Sequence, residues 1–328
     1  MLPMIKICRV GSMVHTPFSK QMEAEIDRSF FQKRNITITS ESEIEDSNIL
    51  IAQNIGYLYR GRKKYGFKKK YFLWTHEPRF DTNYVKKIQK FFWNSPIHIM
   101  NVYTGDIYIN NYMIPFIQPF FRNYWKIEYL NFIDDNYQFK TGRKTVAMMN
   151  CQNYPNTVPL IKDGRDIDLY GIRNLIAIKG YERNLLDLYG KDWPGGIANP
   201  DFAKSDWYAT KKTVLENYSF NLCFENTIAD YYCTEKIWDS IRYGCLPIYY
   251  GKDNKIYEDF PTGSFIDYCD FNDPDRLFDY IESMTVDEYR ERMNQCIEVF
   301  NRIIDIRKET DPYQELLDRI VERIYSII

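Results

Sequence analysis

The chain has 328 residues, with 43 lysines and arginines against 45 aspartates and glutamates and a formal net charge of -2. That balance excludes a globally basic nucleic-acid binder. A hydrophobic content of 45% is ample for sizeable cores, and the length suggests about two domains.

Aromatic residues make up 17% of the chain, more than stacking on a sugar would use, so many belong to the core. The seven cysteines are scattered without a C-x-x-C pair, and their odd number favours reduced thiols in a reducing compartment. Met1 to Ser12 lacks the apolar core of a signal peptide. No apolar run is long enough to cross a membrane, so no transmembrane helix is expected. The three histidines, His15, His76 and His98, have no metal-ligand spacing. There is no Walker A, G-x-S-x-G or G-x-G-x-x-G pattern.

In chain order, Ile5–Val10 reads as a first strand, Met22–Phe31 as a helix, Ile36–Thr39 as a β-branched strand and Asn48–Ala52 as a clearer one. This alternation fits an α/β domain. Tyr59–Lys70 is a basic loop, either a solvated turn or a site of attraction to an anionic glycan or membrane headgroups. Tyr71–Thr75 is an apolar strand that runs into His76-Glu77-Pro78-Arg79. Pro78 stops regular structure there, leaving Glu77 at the carboxyl end of a strand, where ligands of open parallel sheets sit. Val102–Asn111 suits a hairpin, and Asn131–Lys144 is polar, carries a glycine and suits a linker. Lys144–Met149 and Ile167–Gly171 read as the first strands of a second domain. Asp166 and Asp168 form an Asp-x-Asp, read as structural because it precedes or lies in a strand.

The most informative stretch is Phe220–Gly251. Phe220, Leu222 and Phe224 alternate with Asn221 and Cys223 as a short buried strand that ends in Glu225 and Asn226. A loop with Asp230, Tyr231 and Tyr232 follows, and Thr234 suits an N-cap whose hydroxyl accepts a free backbone N–H. A helix over Glu235–Tyr243 buries Ile237, Trp238 and Ile241, and Gly244 suits the position after it. Leu246–Tyr250 is the next buried strand, closed by Gly251. Glu235 and Lys236 occupy the first turn of the helix, where free N–H groups favour a phosphate. Lys236 adds charge to that site, while a carboxylate such as Glu235 suits a sugar or ribose hydroxyl.

Phe224-Glu225-Asn226, Tyr232, Thr234-Glu235-Lys236 and Pro247-Ile248-Tyr249-Tyr250-Gly251 resemble, in this order, the donor-binding signature of glycosyltransferase family 10. These are the α-1,3/α-1,4-fucosyltransferases, which use GDP-fucose. The signature covers roughly a tenth of the chain strongly. The resemblance implies a GT-B fold, two Rossmann-like domains facing across a cleft, and inversion at the sugar carbon. It implies donor binding by Glu225, Asn226, Tyr232, Thr234, Glu235 and Lys236. The family's catalytic base lies in a Glu-Ser-Pro context; Glu77-Pro78 is the counterpart, which makes Glu77 the candidate base. Ile167–Gly171 resembles the family's Asp-Val-Tyr-Gly. The family also places an arginine on the donor phosphates after a run of glycines. Here Gly195-Gly196 is followed by no arginine, leaving Lys204, Lys211, Lys212 or Arg183 as substitutes. The absence of a membrane anchor resembles the soluble bacterial or viral members.

After Gly251 the α/β pattern continues through Ile256–Phe260 and Phe265–Tyr268, then helices over Pro274–Ser283 and Val286–Ile304. Tyr313–Ile328 is amphipathic, either docked on the body or lying on a membrane surface. The expected domains are residues 1–140 (acceptor side), 141–304 (GDP-sugar side) and a terminal helix over 305–328. The expected function is transfer of fucose from GDP-fucose to a glycan hydroxyl. The alternatives are transfer of another nucleotide-linked sugar and an inactive nucleotide-sugar or glycan-binding protein. No metal or other cofactor is required in this reading, although a divalent cation could stimulate. The partners are a GDP-sugar and a glycan acceptor, with no nucleic acid and with peripheral membrane contact. The location is cytoplasmic, at the inner face of a membrane.

Overall fold

The computed structural model describes residues 4–13, 16–18, 28–78, 85–101, 107, 110–112, 128–152, 154–156, 158–199 and 207–328. The chain forms two compact units: Met1–Lys126 with Asp311–Ile328, and Ile127–Thr310. The divisions thus fall at 126/127 and 310/311, where the sequence suggested 140/141 and 304/305.

The first unit is built on strands β1 (Ile5–Arg9), β2 (Ile36–Thr39), β3 (Ile49–Ala52), β4 (Lys70–Trp74), β5 (Lys87–Ile88) and β6 (Ile97–Met100). Their order is β2-β1-β3-β4-β6-β5, parallel except for β5 at the edge. All four residues of β3 are buried, the pattern of a strand covered on both faces. Helix α1 spans Arg28–Lys33; residues 22–27 of the expected helix lie outside the described residues, as does most of the expected hairpin at 102–111.

The basic stretch is a helix rather than a loop: α2 covers Ile55–Tyr65, followed by a 3₁₀ turn at Gly66–Lys68. Asn54 caps it, its side chain accepting from Gly56 N at 2.8 Å. The buried face is narrow, only Leu58, Gly61 and Tyr65, so the charged residues obscured its period. Gly61 lets the helix approach the sheet closely, because a Cβ there would lie 2.7 Å from Leu50.

The second unit has β7 (Thr145–Met148), a small hairpin of β8 (Ile161–Lys162) and β9 (Arg165–Asp166), α3 (Tyr170–Glu182) and β10 (Leu186–Tyr189). It continues with α4 (Trp207–Leu215), β11 (Phe220–Leu222), α5 (Glu235–Arg242), β12 (Leu246–Tyr249) and β13 (Ile266–Asp267). Its main sheet is wholly parallel, in the order β10-β7-β11-β12-β13. Helices α6 (Pro274–Ser283) and α7 (Val286–Glu309) complete it.

The strand expected at Ile167–Gly171 is not formed. The Asp166 side chain accepts from Leu160 N and Asp168 N, which turns the chain, and α3 begins at Tyr170. The strand is instead the second copy of the same letters, Asp187-Leu188-Tyr189 followed by Gly190. Gly190 is required there, since a Cβ would lie 2.0 Å from Met149 O. The expected linker is part of this unit: Asn301 and Asn294 of α7 pair with the backbone of Leu130 and Ile133 through both amide atoms.

The last helix, α8 (Pro312–Tyr325), belongs to the first unit. Leu316, Leu317, Ile320, Val321 and Ile324 are all buried, so its apolar face is used in docking and not held for a membrane surface. Arg34 pairs with Asp318 at 2.8 Å, and Tyr325 OH donates to Arg34 O. Among the described residues no helix is long and apolar enough to cross a membrane.

Candidate active site

Strand order locates the site. From β7 the chain goes to β10 on one side, and it returns through α4 to β11 on the other. The carboxyl ends of β7 and β11 therefore flank a topological switch point, where open parallel sheets bind ligands. A pocket lies there, lined by Met148, Met149, Arg173, Lys211, Glu235 and Lys236 and by the end of β11.

Glu225, three residues beyond the end of β11, is only 2% exposed. Its carboxylate accepts from Thr234 N at 2.8 Å, Thr234 Oγ1 at 2.9 Å and Tyr249 OH at 3.3 Å. Lys236 Nζ donates to Glu225 Oε2 at 3.0 Å and to Thr234 Oγ1 at 2.7 Å. Thr234 thus sits at the N-cap in extended conformation but makes no side-chain cap bond, contrary to expectation. Its hydroxyl instead links Glu225 to Lys236. The result is a lysine at the first turn of α5, 30% exposed and held by a buried carboxylate.

Glu225, expected at the donor, is buried, and its oxygens already accept four donors. Tyr232, expected against the donor, is 1% exposed and its ring lies in the core. Asn226 is buried, with Nδ2 3.3 Å from Tyr170 OH.

Glu235 keeps part of its side chain exposed beside Lys211 Nζ, 3.5 Å away. Burial pushes its carboxyl up, but Lys236 and Lys211 outweigh that and hold it at about 2. Lys211 also pairs with the fully buried Asp239. For Asp239 burial wins, raising it to about 6 against the pull of Lys211.

These shifts set a pH test. The folded value of Glu235 lies below its ordinary 4.5, so its stabilisation is complete above that value and is lost as pH falls toward about 2. The difference in thermal midpoint between the native chain and Glu235→Gln is expected to shrink below about pH 4.5. A difference that stays constant across that window would contradict the charge pairing.

Of the cations the sequence offered for the donor phosphates, Lys211 lines the pocket but is engaged by Asp239 and Glu235. Lys212 is exposed beside Glu216. Arg183 is bound to Asp275, Asp279 and Glu282. Lys204 lies outside the described residues.

The residue that sequence reasoning missed is Arg173 on α3. It is 5% exposed, its Nε donates to Met149 Sδ at 3.2 Å, and it forms no ion pair among the described residues. A signal existed: Arg173, Ile176, Ala177 and Gly180 are all buried and recur at helical spacing, so a guanidinium interrupts an apolar stripe. Burial lowers its pKa, and nearby Tyr170, Glu225, Tyr232 and Asp168 oppose that.

In the first unit Glu77 is half-buried just past the end of β4. Thr75 Oγ1 accepts from Glu77 N at 3.1 Å and donates to Glu77 O at 3.2 Å, a local clasp that fixes the turn. Trp74 Nε1 donates to His76 Nε2 at 2.8 Å beside it. Arg79 and Asp81 lie outside the described residues. Asp166 is occupied by two backbone N–H groups, and no cluster of metal-ligating side chains occurs among the described residues.

Two α/β units built on parallel sheets, one carrying a cationic pocket at its switch point, define a protein of the GT-B class. Residues 186–294 match the family model described as glycosyltransferase family 10 (fucosyltransferase) C-term. A 72-residue segment is 43% identical to α-(1,3)-fucosyltransferase FucT of Helicobacter pylori, covering 22% of this chain and 15% of that protein. Over 111 residues it is 33% identical to GDP-fucose protein O-fucosyltransferase 3 of Bos taurus, covering 32% of this chain and 22% of that one. The chain thus spans less than a quarter of these curated relatives. Among solved structures, an α1,3-fucosyltransferase is similar at a TM-score of 0.45 and 18% identity over 95% of this chain and 92% of that one. A DNA-modifying β-glucosyltransferase is similar at 0.48 and 10% identity over 97% and 100%.

Proposed function

We propose that the protein is an inverting glycosyltransferase that moves fucose from GDP-fucose to a hydroxyl of a glycan acceptor. The observation that carries this reading is the pairing of Arg173 and Lys236 at a switch-point pocket opening on the first turn of α5. Two cations beside the first turn of a helix suit a diphosphate. Glu235 takes a ribose or sugar hydroxyl and Asn226 assists, while Glu225 and Thr234 hold Lys236 in place. Glu77 takes the proton of the acceptor hydroxyl as its oxygen bonds to the anomeric carbon. The bond from that carbon to the diphosphate oxygen breaks, and GDP leaves with the electron pair. Arg173 and Lys236 gain in interaction as charge builds on the leaving diphosphate, so they favour the transition state over the ground state.

The test is incubation with a panel of GDP-sugars and a LacNAc-type acceptor, reading GDP release and product mass. Acceptor-dependent turnover with GDP-fucose supports the reading. Turnover only with another sugar reassigns the donor, and binding without turnover makes the protein an inactive binding module. The chemistry above routes no step through a metal, so substantial turnover is expected to persist in excess EDTA. Complete loss restored by Mn²⁺ would overturn that expectation and return attention to Asp166 and Asp168. We place the protein in the cytoplasm, in peripheral contact with the inner face of a membrane.

A further inference from the structure

The first unit carries an exposed aromatic cluster with no counterpart in the chemistry above. Phe91, Phe92 and Trp93 follow one another in a turn between β5 and β6, and Phe92 and Trp93 are 85% and 57% exposed. The cluster is internally ordered. Phe91 and Trp93 stack with centroids 4.7 Å apart, and Phe92 meets Trp93 edge-on at 4.8 Å. A fourth exposed ring, Phe67, stands in the 3₁₀ turn after α2.

The two turns are joined. Ser95 Oγ donates to Gly66 O at 2.9 Å, and Arg62 donates to Ser95 O at 3.4 Å. Both turns carry exposed lysines: Lys63 and Lys68 near Phe67 in sequence, and Lys90 next to Phe91, with Lys90 Nζ 5.8 Å from the Phe91 ring. Four exposed rings on two joined turns that also carry exposed lysines match an interfacial anchor, in which rings enter the headgroup layer and lysines meet anionic lipids.

Position strengthens the case. Gly66–Lys68 leads into the start of β4, and Phe91–Ser95 leads into the start of β6. Both turns therefore lie at the amino edge of this sheet, whereas Glu77 follows the carboxyl end of β4. A contact made here leaves the carboxyl edge open. A solvated basic turn would account for the lysines but not for consecutive exposed aromatics.

We infer that this amino-edge patch docks the protein on an anionic lipid bilayer, with Phe92 and Trp93 inserted at the headgroup level and Lys63, Lys68 and Lys90 on the lipid charges. The test is sedimentation of the full chain with vesicles of phosphatidylcholine alone or mixed with phosphatidylserine. Binding is expected only to the mixed vesicles and should weaken at high salt. The double variant Phe92→Ala/Trp93→Ala should lower partitioning by about tenfold or more. The triple variant Lys63→Ala/Lys68→Ala/Lys90→Ala should lower it by about a hundredfold. All five positions are exposed, and an unchanged thermal midpoint checks folding. Trp93→Phe should in addition remove the blue shift in fluorescence on binding. Failure of the native chain to bind mixed vesicles would overturn the inference, as would vesicle binding that neither variant alters. Binding to heparin or single-stranded oligonucleotide without vesicle binding would also overturn it.

Discussion

Glu77→Gln is expected to lower kcat by about 10²–10⁴-fold, the usual contribution of general-base catalysis, with GDP affinity unchanged. The substitution keeps the side-chain length and the Thr75 clasp on the Glu77 backbone, so the turn after β4 is preserved. Only the capacity to take a proton is lost. GDP affinity should hold because the proposed diphosphate contacts belong to the other unit. Steady-state turnover at saturating donor, with calorimetry for GDP, separates the two quantities. Near wild-type turnover would remove Glu77 from the role. Glu225 could not then replace it, since its buried carboxylate already accepts from Thr234, Lys236 and Tyr249.

The fold class was legible because its main signals are local. Buried strands such as Ile49–Ala52 and Leu246–Tyr249 read as apolar runs, and Gly251 closes the last of these for a visible reason. A Cβ there would lie 2.5 Å from Asp267 Oδ2, and its N–H donates to Asp267 Oδ1 at 3.0 Å. Two readings failed where long-range packing decides. The letters DLYG occur twice, and only strand pairing shows that the second copy enters the sheet beside β7. The helix over Ile55–Tyr65 buries too few residues for its period to show through the charges. In the candidate site, the proximity of Glu225, Thr234 and Lys236 followed from a short loop. The division of labour did not, because burial of Glu225 and Tyr232 is a property of the packed unit. Arg173 was missed because the switch point is defined by strand order. A guanidinium far before β11 in the chain joins the site only once β7 lies between β10 and β11.

Arg173→Met should separate function from stability. Lys236→Ala is the obvious variant, and it should weaken GDP binding and lower kcat, but it also strips a partner from a carboxylate that is 2% exposed. Leaving a buried charge uncompensated costs about 3–5 kcal/mol, so part of any loss would be a folding defect. Arg173 has no ion-paired carboxylate among the described residues, and its Nε rests on the Met149 sulfur. Replacing a desolvated guanidinium by an apolar side chain of similar length relieves its burial and strands no partner. The thermal midpoint of the ligand-free variant should therefore hold or rise. GDP affinity should fall, since a charge-assisted contact contributes about 1.5–3 kcal/mol, or roughly 10–100-fold. The decrease in kcat should be at least as large if Arg173 meets the charge that develops on the leaving diphosphate. Calorimetry with GDP and a thermal melt on the same preparation decide the matter. Unchanged GDP affinity would mean that the guanidinium serves packing alone, and a lowered midpoint would mean that its burial stabilises the unit.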